Sequence, residues 1–344
     1  MDYAILCNPG HNRVYFETSL RLSVSEFAIA AQALSARCGD VRRQNLCGID
    51  YLTFQTQDEL SRADIMLLSS LSFTYALFQL ESMHTCLKPV ELQKENFVDE
   101  SMSAILKYTG KTNELFTRMM INIALCSQGS REGIRLLDPI AGKGTTLYEG
   151  YAWGFDVYGI EIGESVVNES AHFTKKFLET ARYKFDYAPM KISGPNKSFS
   201  ALRHTFHAAR TKEEFKGKRT KTMEFIAGNA LYANKFYPKN FFDILVGDLP
   251  YGVQHGNVTR EGQSSLTRNP AELLRACLPA WRDVLKPGGA AVLAWNSHVL
   301  PREQMERIFM ENGFLVKKEA AYLQFEHRVD QSILRDIVAA QKEE

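Results

Sequence analysis

Leu136-Leu137-Asp138-Pro139-Ile140-Ala141-Gly142-Lys143-Gly144-Thr145-Thr146 reads as a buried strand that ends on an acid, a glycine turn and the start of a helix. Glycine in such a turn lets the backbone approach a ligand where a Cβ would obstruct it. Spacing tests two familiar phosphate-binding turns. A Walker loop has four residues between its first glycine and its Gly-Lys pair, and counting back from Gly142 gives Leu137. A dinucleotide fingerprint needs a third glycine three after Gly144, and that position is Leu147. Both fail. What remains is a carboxylate, Asp138, at a strand end beside the turn, where it could hold a ligand ammonium.

Outward from this turn the pattern is strand, turn, helix, repeated. β-rich runs occur at Ile134–Leu137, Val157–Ile160, Phe225–Ala227, Phe242–Val246 and Ala290–Trp295. Between them lie segments long enough for crossover helices. A helix is expected from Pro270 to about Leu285, with Leu273, Leu274, Cys277, Leu278, Trp281, Val284 and Leu285 forming one apolar stripe. Pro279 should kink it, and Lys286-Pro287-Gly288-Gly289 should stop it. Another helix starts at Pro301 and ends at Asn312-Gly313. Alternation of this kind predicts an α/β fold with a doubly wound, mostly parallel, Rossmann-like sheet. Ligands then bind beyond the carboxyl ends of the strands.

Residues 1–95 read as a smaller N-terminal α/β domain. Strands are expected at Tyr3–Leu6, Asp50–Phe54 and Ile65–Leu71, with a helix at Val24–Leu34 started by Ser23 or Ser25. The polar stretch Gln93–Glu100 is expected to be the linker, and residues 104–344 the second domain. With 344 residues the chain can bury both cores. Six cysteines lie without CxxC or Cys/His spacing, which argues for reduced thiols, a cytoplasmic protein and no zinc site. No apolar run suggests a membrane span, and no basic n-region precedes Ala4-Ile5-Leu6.

Lysine and arginine total 41 against 40 acids, a net charge of +1. The distribution is uneven. Nine basic residues fall between Met190 and Thr222 against two acids, Glu213 and Glu214. This basic insertion, about 190–222, is either a solvated surface loop or an electrostatic footprint for phosphates.

Three more motifs follow strands. Gly159-Ile160-Glu161 ends the second strand of the repeat with an acid, the usual ribose-hydroxyl acceptor in nucleoside-binding folds of this class; a solvated strand-end acid is the plain alternative. Ala227-Gly228-Asn229-Ala230 places an amide that can accept from an adenine amino group or simply make the turn. The last is Gly247-Asp248-Leu249-Pro250-Tyr251-Gly252, after the apolar run Phe242–Val246. An exocyclic amino nitrogen is a poor nucleophile because its lone pair is delocalised into the ring. Acceptors on both of its N–H bonds make it more tetrahedral and more nucleophilic. The Asp248 carboxylate supplies one acceptor and the backbone carbonyl of Leu249 the other, Pro250 stiffens the turn, and Tyr251 offers a face for an extruded base.

The run Asp138–Thr145 and the turn Asp248-Leu249-Pro250-Tyr251 resemble the cofactor and catalytic motifs of class I S-adenosylmethionine-dependent amino-methyltransferases. Leu249 stands where the commoner pattern has a first proline. Gly110-Lys111-Thr112-Asn113-Glu114-Leu115-Phe116-Thr117-Arg118 and the tail Phe325–Ser332 look like the THUMP-associated tRNA guanosine-N2 methyltransferases. The resemblance covers about residues 105–335. It implies S-adenosyl-L-methionine as cofactor, bound by Lys111, Thr112, Asp138, Pro139, Ala141, Gly142, Gly144, Thr145, Glu161, Asn229 and Ala230. It implies catalysis by Asp248, Leu249, Pro250 and Tyr251, no metal, and a tRNA partner methylated at guanosine N2. Residues 1–95 would then be a reduced THUMP-like RNA-binding module. Lys111, Arg118, His255, Arg260 and Arg268 are candidates for substrate phosphates or base edges, each also readable as a surface residue. A DNA adenine-N6 or cytosine-N4 methyltransferase uses the same two motifs, and a non-catalytic RNA-binding factor could retain the fold. A protein-glutamine methyltransferase normally has Asn where this chain has Asp248. A homo-oligomer or a small adaptor protein stays open.

Overall fold

The computed structural model describes residues 1–8, 13–81, 86–105, 111–251 and 269–343. The first strands are short and pair only antiparallel. β1 (Asp2–Cys7), β2 (Arg42–Leu46), β3 (Ile49–Gln55), β4 (Thr74–Glu81) and β5 (Cys86–Val90) form one sheet in the order β2-β3-β1-β4-β5. Helices α1 (Arg13–Ala31) and α2 (Arg62–Ser70) close its core around Tyr3, Ile5, Phe27, Leu52, Phe54 and Leu68.

The small domain departs from the sequence pattern at two places. Ile65–Leu71 is helical, not a strand: Ser61 and Asp64 form a capping box at the start of α2, and Leu67 and Leu68 turn inward from it. Ser23 and Ser25 do not start a helix. They are buried inside α1, which begins ten residues before Ser23, and the Ser23 hydroxyl donates to the Ser19 carbonyl at 2.6 Å.

The stretch Gln93–Glu100 is anchored rather than slack. The Phe97 amide donates to the Ala152 carbonyl at 2.6 Å, and the Phe97 ring meets Tyr151 edge-on at 5.1 Å. After α3 (Ser101–Ile105), α4 (Glu114–Gln128) is capped by Asn113, whose side chain accepts from the amides of Leu115 and Phe116. The helices α1 and α4 meet at a buried polar knot. Glu26 accepts from the Asn122 amide group at 2.8 Å and from the Ser72 amide at 3.0 Å. Burial raises the Glu26 carboxyl above its usual range despite these donors.

The larger sheet contains β6 (Arg135–Asp138), β7 (Asp156–Glu161), β8 (Lys184–Ser193), β9 (Ser200–Ala209), β10 (Lys221–Ala227), β11 (Phe242–Asp248), β12 (Leu285–Asn296), β13 (Phe314–Val316), β14 (His327–Arg328) and β15 (Leu334–Lys342). Their order is β13-β15-β12-β11-β6-β7-β10-β9-β8, with β14 beside β15. The five central strands, β12, β11, β6, β7 and β10, are all parallel. Helices α5 (Thr145–Ala152), α6 (Glu164–Thr180), α7 (Lys212–Lys216), α8 (Ala233–Phe236), α9 (Pro270–Val284) and α10 (Arg302–Glu311) connect them. This is the doubly wound, mostly parallel sheet expected, with apolar layers on both faces. Among the described residues no helix is long and apolar enough to cross a membrane.

Connectivity places the ligand crevice. From β6 the chain runs outward through β7 to β10, then crosses to β11 on the other side of β6. The switch point therefore lies between β6 and β11, which end on Asp138 and Asp248. Close packing sharpens this end of the sheet. A Cβ on Gly159 would come within 2.8 Å of the Ala141 Cβ, and one on Gly247 within 3.3 Å of Asp138 Oδ1.

Two further differences concern the edges. The segment 190–222 is not a loop; it runs through the β8–β9 hairpin, which adds two antiparallel strands beyond β10, then through α7 to the start of β10. Strand β12 starts at Leu285, ahead of Ala290, because a register break between Phe242↔Leu285 and Ile244↔Ala290 absorbs Lys286–Gly289, with Gly288 at φ +70°. Pro279 lies inside α9.

Candidate active site

Asp138 ends β6 at 3% exposure, and its Oδ1 accepts from the Ile140 amide at 3.0 Å. Pro139 is buried beside it. The chain then turns: the Ala141 amide donates to the Ile160 carbonyl at 2.9 Å, Gly142 takes φ +51° and Gly144 φ +90°. Only glycine holds such angles at low cost. A Cβ on Gly144 would also come within 3.0 Å of the Phe225 ring. Gly144 is the N-cap of α5, which Thr145 opens. Glu161, ending β7, fastens the turn from the far side: its Oε2 accepts from the Gly142 amide at 3.1 Å and its Oε1 from the Gly163 amide at 2.8 Å.

Burial pushes the Asp138 carboxyl up to about 7. The Thr146 hydroxyl and the Ile140 amide favour its charged form, while Asp248 and Glu161 add repulsion. Three carboxylates thus converge on one strand-end rim, an arrangement that a cationic ligand relieves.

Asp248 ends β11 with its side chain 15% exposed. The Thr112 hydroxyl donates to Oδ2 at 2.7 Å, and the Tyr251 hydroxyl lies 2.6 Å from Oδ1 and 2.7 Å from Oδ2. Burial, and then the Asp248 charge, push the Tyr251 phenol far up, so it stays a donor. Arg335, on β15, lies 3.7 Å from Asp248 Oδ2. Its guanidinium is stacked between Phe116, 4.5 Å away, and Tyr251, 5.2 Å away. The backbone of the turn is held as well. The buried Leu249 donates its amide to the Ala294 carbonyl at 2.8 Å, and the Asn296 side chain donates to the Tyr251 carbonyl at 3.2 Å. Pro250 sits half-buried between them.

No protein-family model matches this chain, and no curated protein does. Solved structures overlap it at low identity. A TehB-like SAM-dependent methyltransferase from Corynebacterium glutamicum is 15% identical with a TM-score of 0.33, covering 62% of this chain and 83% of its own. A SAM-dependent methyltransferase from Leishmania major is 16% identical with a TM-score of 0.35, covering 62% and 67%. An rRNA methylase from Streptococcus thermophilus is 10% identical with a TM-score of 0.33, covering 62% and 89%. The fold rests on the strand order of this chain.

The structure brings Asp138, Gly142, Gly144, Glu161 and Asp248 to one rim and gives others partners within the protein. Thr112, expected on a cofactor, is on Asp248. Lys111 is paired with Glu114 and donates to the Ser103 carbonyl. Tyr251 turns its hydroxyl to Asp248, and Arg335 covers its ring. The side-chain oxygen of Asn229 accepts from the Leu231 amide at 2.9 Å, and Ala230 starts that one-turn helix. Arg118 is no surface cation: it is buried and bonded to Glu149 at 3.0 Å and Glu100 at 3.1 Å. Gly110, Gly252, His255, Arg260 and Arg268 lie outside the described residues. Sequence reasoning missed Arg335, Phe116 and Asn296. The sequence trace of Arg335 is a cation near the head of the apolar run Ile337–Ala340, far along the chain from Asp248.

Proposed function

We propose that the protein transfers a methyl group from S-adenosyl-L-methionine to an exocyclic amino nitrogen of a nucleic-acid base, guanosine N2 of tRNA being the favoured substrate. The observation that carries this reading is the Asp248 carboxylate, held by Thr112 and Tyr251 at the switch point beside the Asp138–Glu161 rim. The rim residues fit the cofactor: a cation relieves three converging carboxylates, and the positive-φ turn leaves the approach free of a Cβ. When bound, S-adenosylmethionine supplies a methyl group on a positively charged sulfur.

Asp138 would take the ammonium of the cofactor. Each Glu161 oxygen carries one amide donor and so keeps a lone-pair direction for a ribose hydroxyl. Asp248 and the Leu249 carbonyl would accept from the two N–H bonds of the target amine, and Asp248 would receive the proton that the nitrogen sheds on gaining its fourth bond. An incoming N–H shares Asp248 with Thr112 and displaces Tyr251, which frees the Tyr251 ring for the base. Positioning supplies most of the acceleration.

Thr112 gives a first check. Thr112→Val removes a hydrogen bond to a charged acceptor, and kcat is expected to fall about tenfold with cofactor affinity unchanged. Isothermal titration beside steady-state kinetics reads both. A weakened cofactor affinity at unchanged kcat would return Thr112 to the cofactor. Incubation of total tRNA, rRNA and DNA with tritium-labelled cofactor tests the function itself. Label is expected on tRNA, and label on DNA alone would favour the DNA-methyltransferase alternative.

A further inference from the structure

We infer that a basic cleft at the opposite end of the parallel strands from Asp138 and Asp248 is a second substrate site, binding backbone phosphates of the same nucleic acid. This rests on the nucleic-acid reading above.

The segment Lys94–Phe97, the turn Trp153-Gly154 and the chain from Arg210 to Lys221 enclose an open cleft of about 580 Å³. Lys94, Arg210, Arg219 and Lys221 line it with two acids, Glu95 and Glu214, and Lys94 lies 3.7 Å from Glu100. Glu95 meets Arg62 at 3.3 Å, and Glu214 accepts from the amides of Arg210 and Thr211 at 3.0 and 3.3 Å as part of the α7 cap. Among the described residues neither Arg219 nor Lys221 has a carboxylate partner.

Arg210 is set in place before any ligand arrives. Its Nε donates to the Phe97 carbonyl at 3.2 Å, another nitrogen donates to the Asn96 carbonyl, and the guanidinium lies 5.5 Å from the Phe97 ring centre. Trp153 adds a half-buried aromatic surface to the wall. Fixed and free cations interleaved with aromatic rings suit a nucleic-acid backbone.

Register fixes where this lies. Lys221 opens β10 and Ala227 closes it beside Glu161, so the cleft is about 20 Å from the catalytic rim at 3.3 Å per residue. A duplex presents one charge per about 1.7 Å of its axis, so a folded RNA reaching the rim has phosphates to spare at that distance. The basic run therefore splits: Lys191 sits toward the hairpin tip, whereas Arg210 to Lys221 gather at the far end. Arg203, turned inward to Glu224 at 3.3 Å and to the Phe236 carbonyl at 2.8 Å, belongs to neither group.

The test is the double variant Arg219→Gln/Lys221→Gln, with Lys318→Gln as a control outside the cleft. Binding of total tRNA is measured against salt, together with KM and kcat for methyl transfer. The slope of log K against log salt is expected to fall by about 1.5, near 0.7–0.9 per lost contact. KM should rise while kcat and the melting temperature hold, and Lys318→Gln should leave the slope unchanged. An unchanged slope and KM in the double variant would overturn the cleft, while methyl transfer by the wild type would leave the catalytic reading standing. No methyl transfer with a shifted slope would do the reverse. Inorganic pyrophosphate, titrated alone, separates the sources. Stoichiometric binding that the double variant loses, with tRNA affinity unaffected, would make this a site for a small free anion and overturn the inference.

Discussion

Asp248→Asn is expected to lower kcat for methyl transfer by about a hundred- to ten-thousand-fold, the range lost when a group that handles the transferred proton is removed. Cofactor affinity should change far less than kcat, because Asp248 bonds to Thr112 and Tyr251 and lies beside Arg335, and acts on the cofactor cation only through its charge near Asp138. The amide keeps the shape of the carboxylate and one acceptor oxygen, so the Thr112 or Tyr251 hydroxyl can still be satisfied. It lacks the negative charge and presents an N–H₂ where the substrate needs an acceptor. Arg335, 6% exposed and stacked between Phe116 and Tyr251, loses its counter-charge, so some loss of melting temperature accompanies the change. Titration of the cofactor into the variant separates that from loss of chemistry. Retention of wild-type turnover in a variant that binds cofactor would remove Asp248 from the reaction.

The second large effect is the pH dependence of cofactor binding. Burial holds the Asp138 proton in the folded state up to about pH 7, whereas the unfolded chain releases it near 3.8. Between those values the folded state binds more protons, so the Asp138 contribution to stability falls as pH rises through that window. A cationic ligand favours the ionised carboxylate. Affinity for S-adenosylmethionine should therefore rise by up to about tenfold per pH unit below 7 and level off above it. Binding on the acid side should release a proton, visible as a dependence of the calorimetric heat on the buffer. Asp138→Asn should bind more weakly with a flat profile. A wild-type affinity that does not change between about pH 6 and pH 8 would place the cofactor cation away from Asp138.

These effects concern residues that were legible in the sequence for a physical reason. Asp138, Glu161 and Asp248 each follow a run of apolar residues too short for a buried helix, and an acid at such a point marks a strand end. Alternation of such runs with helical stripes then implied the parallel sheet. What sequence could not carry was decided by partners distant in the chain. Ile65–Leu71 is an apolar run that fits either period, and the capping box Ser61–Asp64 settles it as helix. The hairpin β8–β9 hides in a basic stretch because its outer strand is exposed and polar. Arg335 joins the Asp248 network only because β15 pairs antiparallel with β12, bringing it opposite Asn296. The partners of Lys111 and Arg118 were hidden for the same reason, since Glu114, Glu149 and Glu100 pair with the two cations only in the fold.

The most direct test of the central claim is mass spectrometry of nucleosides from tRNA incubated with the protein and S-adenosylmethionine carrying a deuterated methyl group. Deuterated N2-methylguanosine is expected with the wild type and none with Asp248→Asn. Deuterium on a ring nitrogen, a ring carbon or a ribose oxygen, or no label on any nucleic acid offered, would contradict the claim.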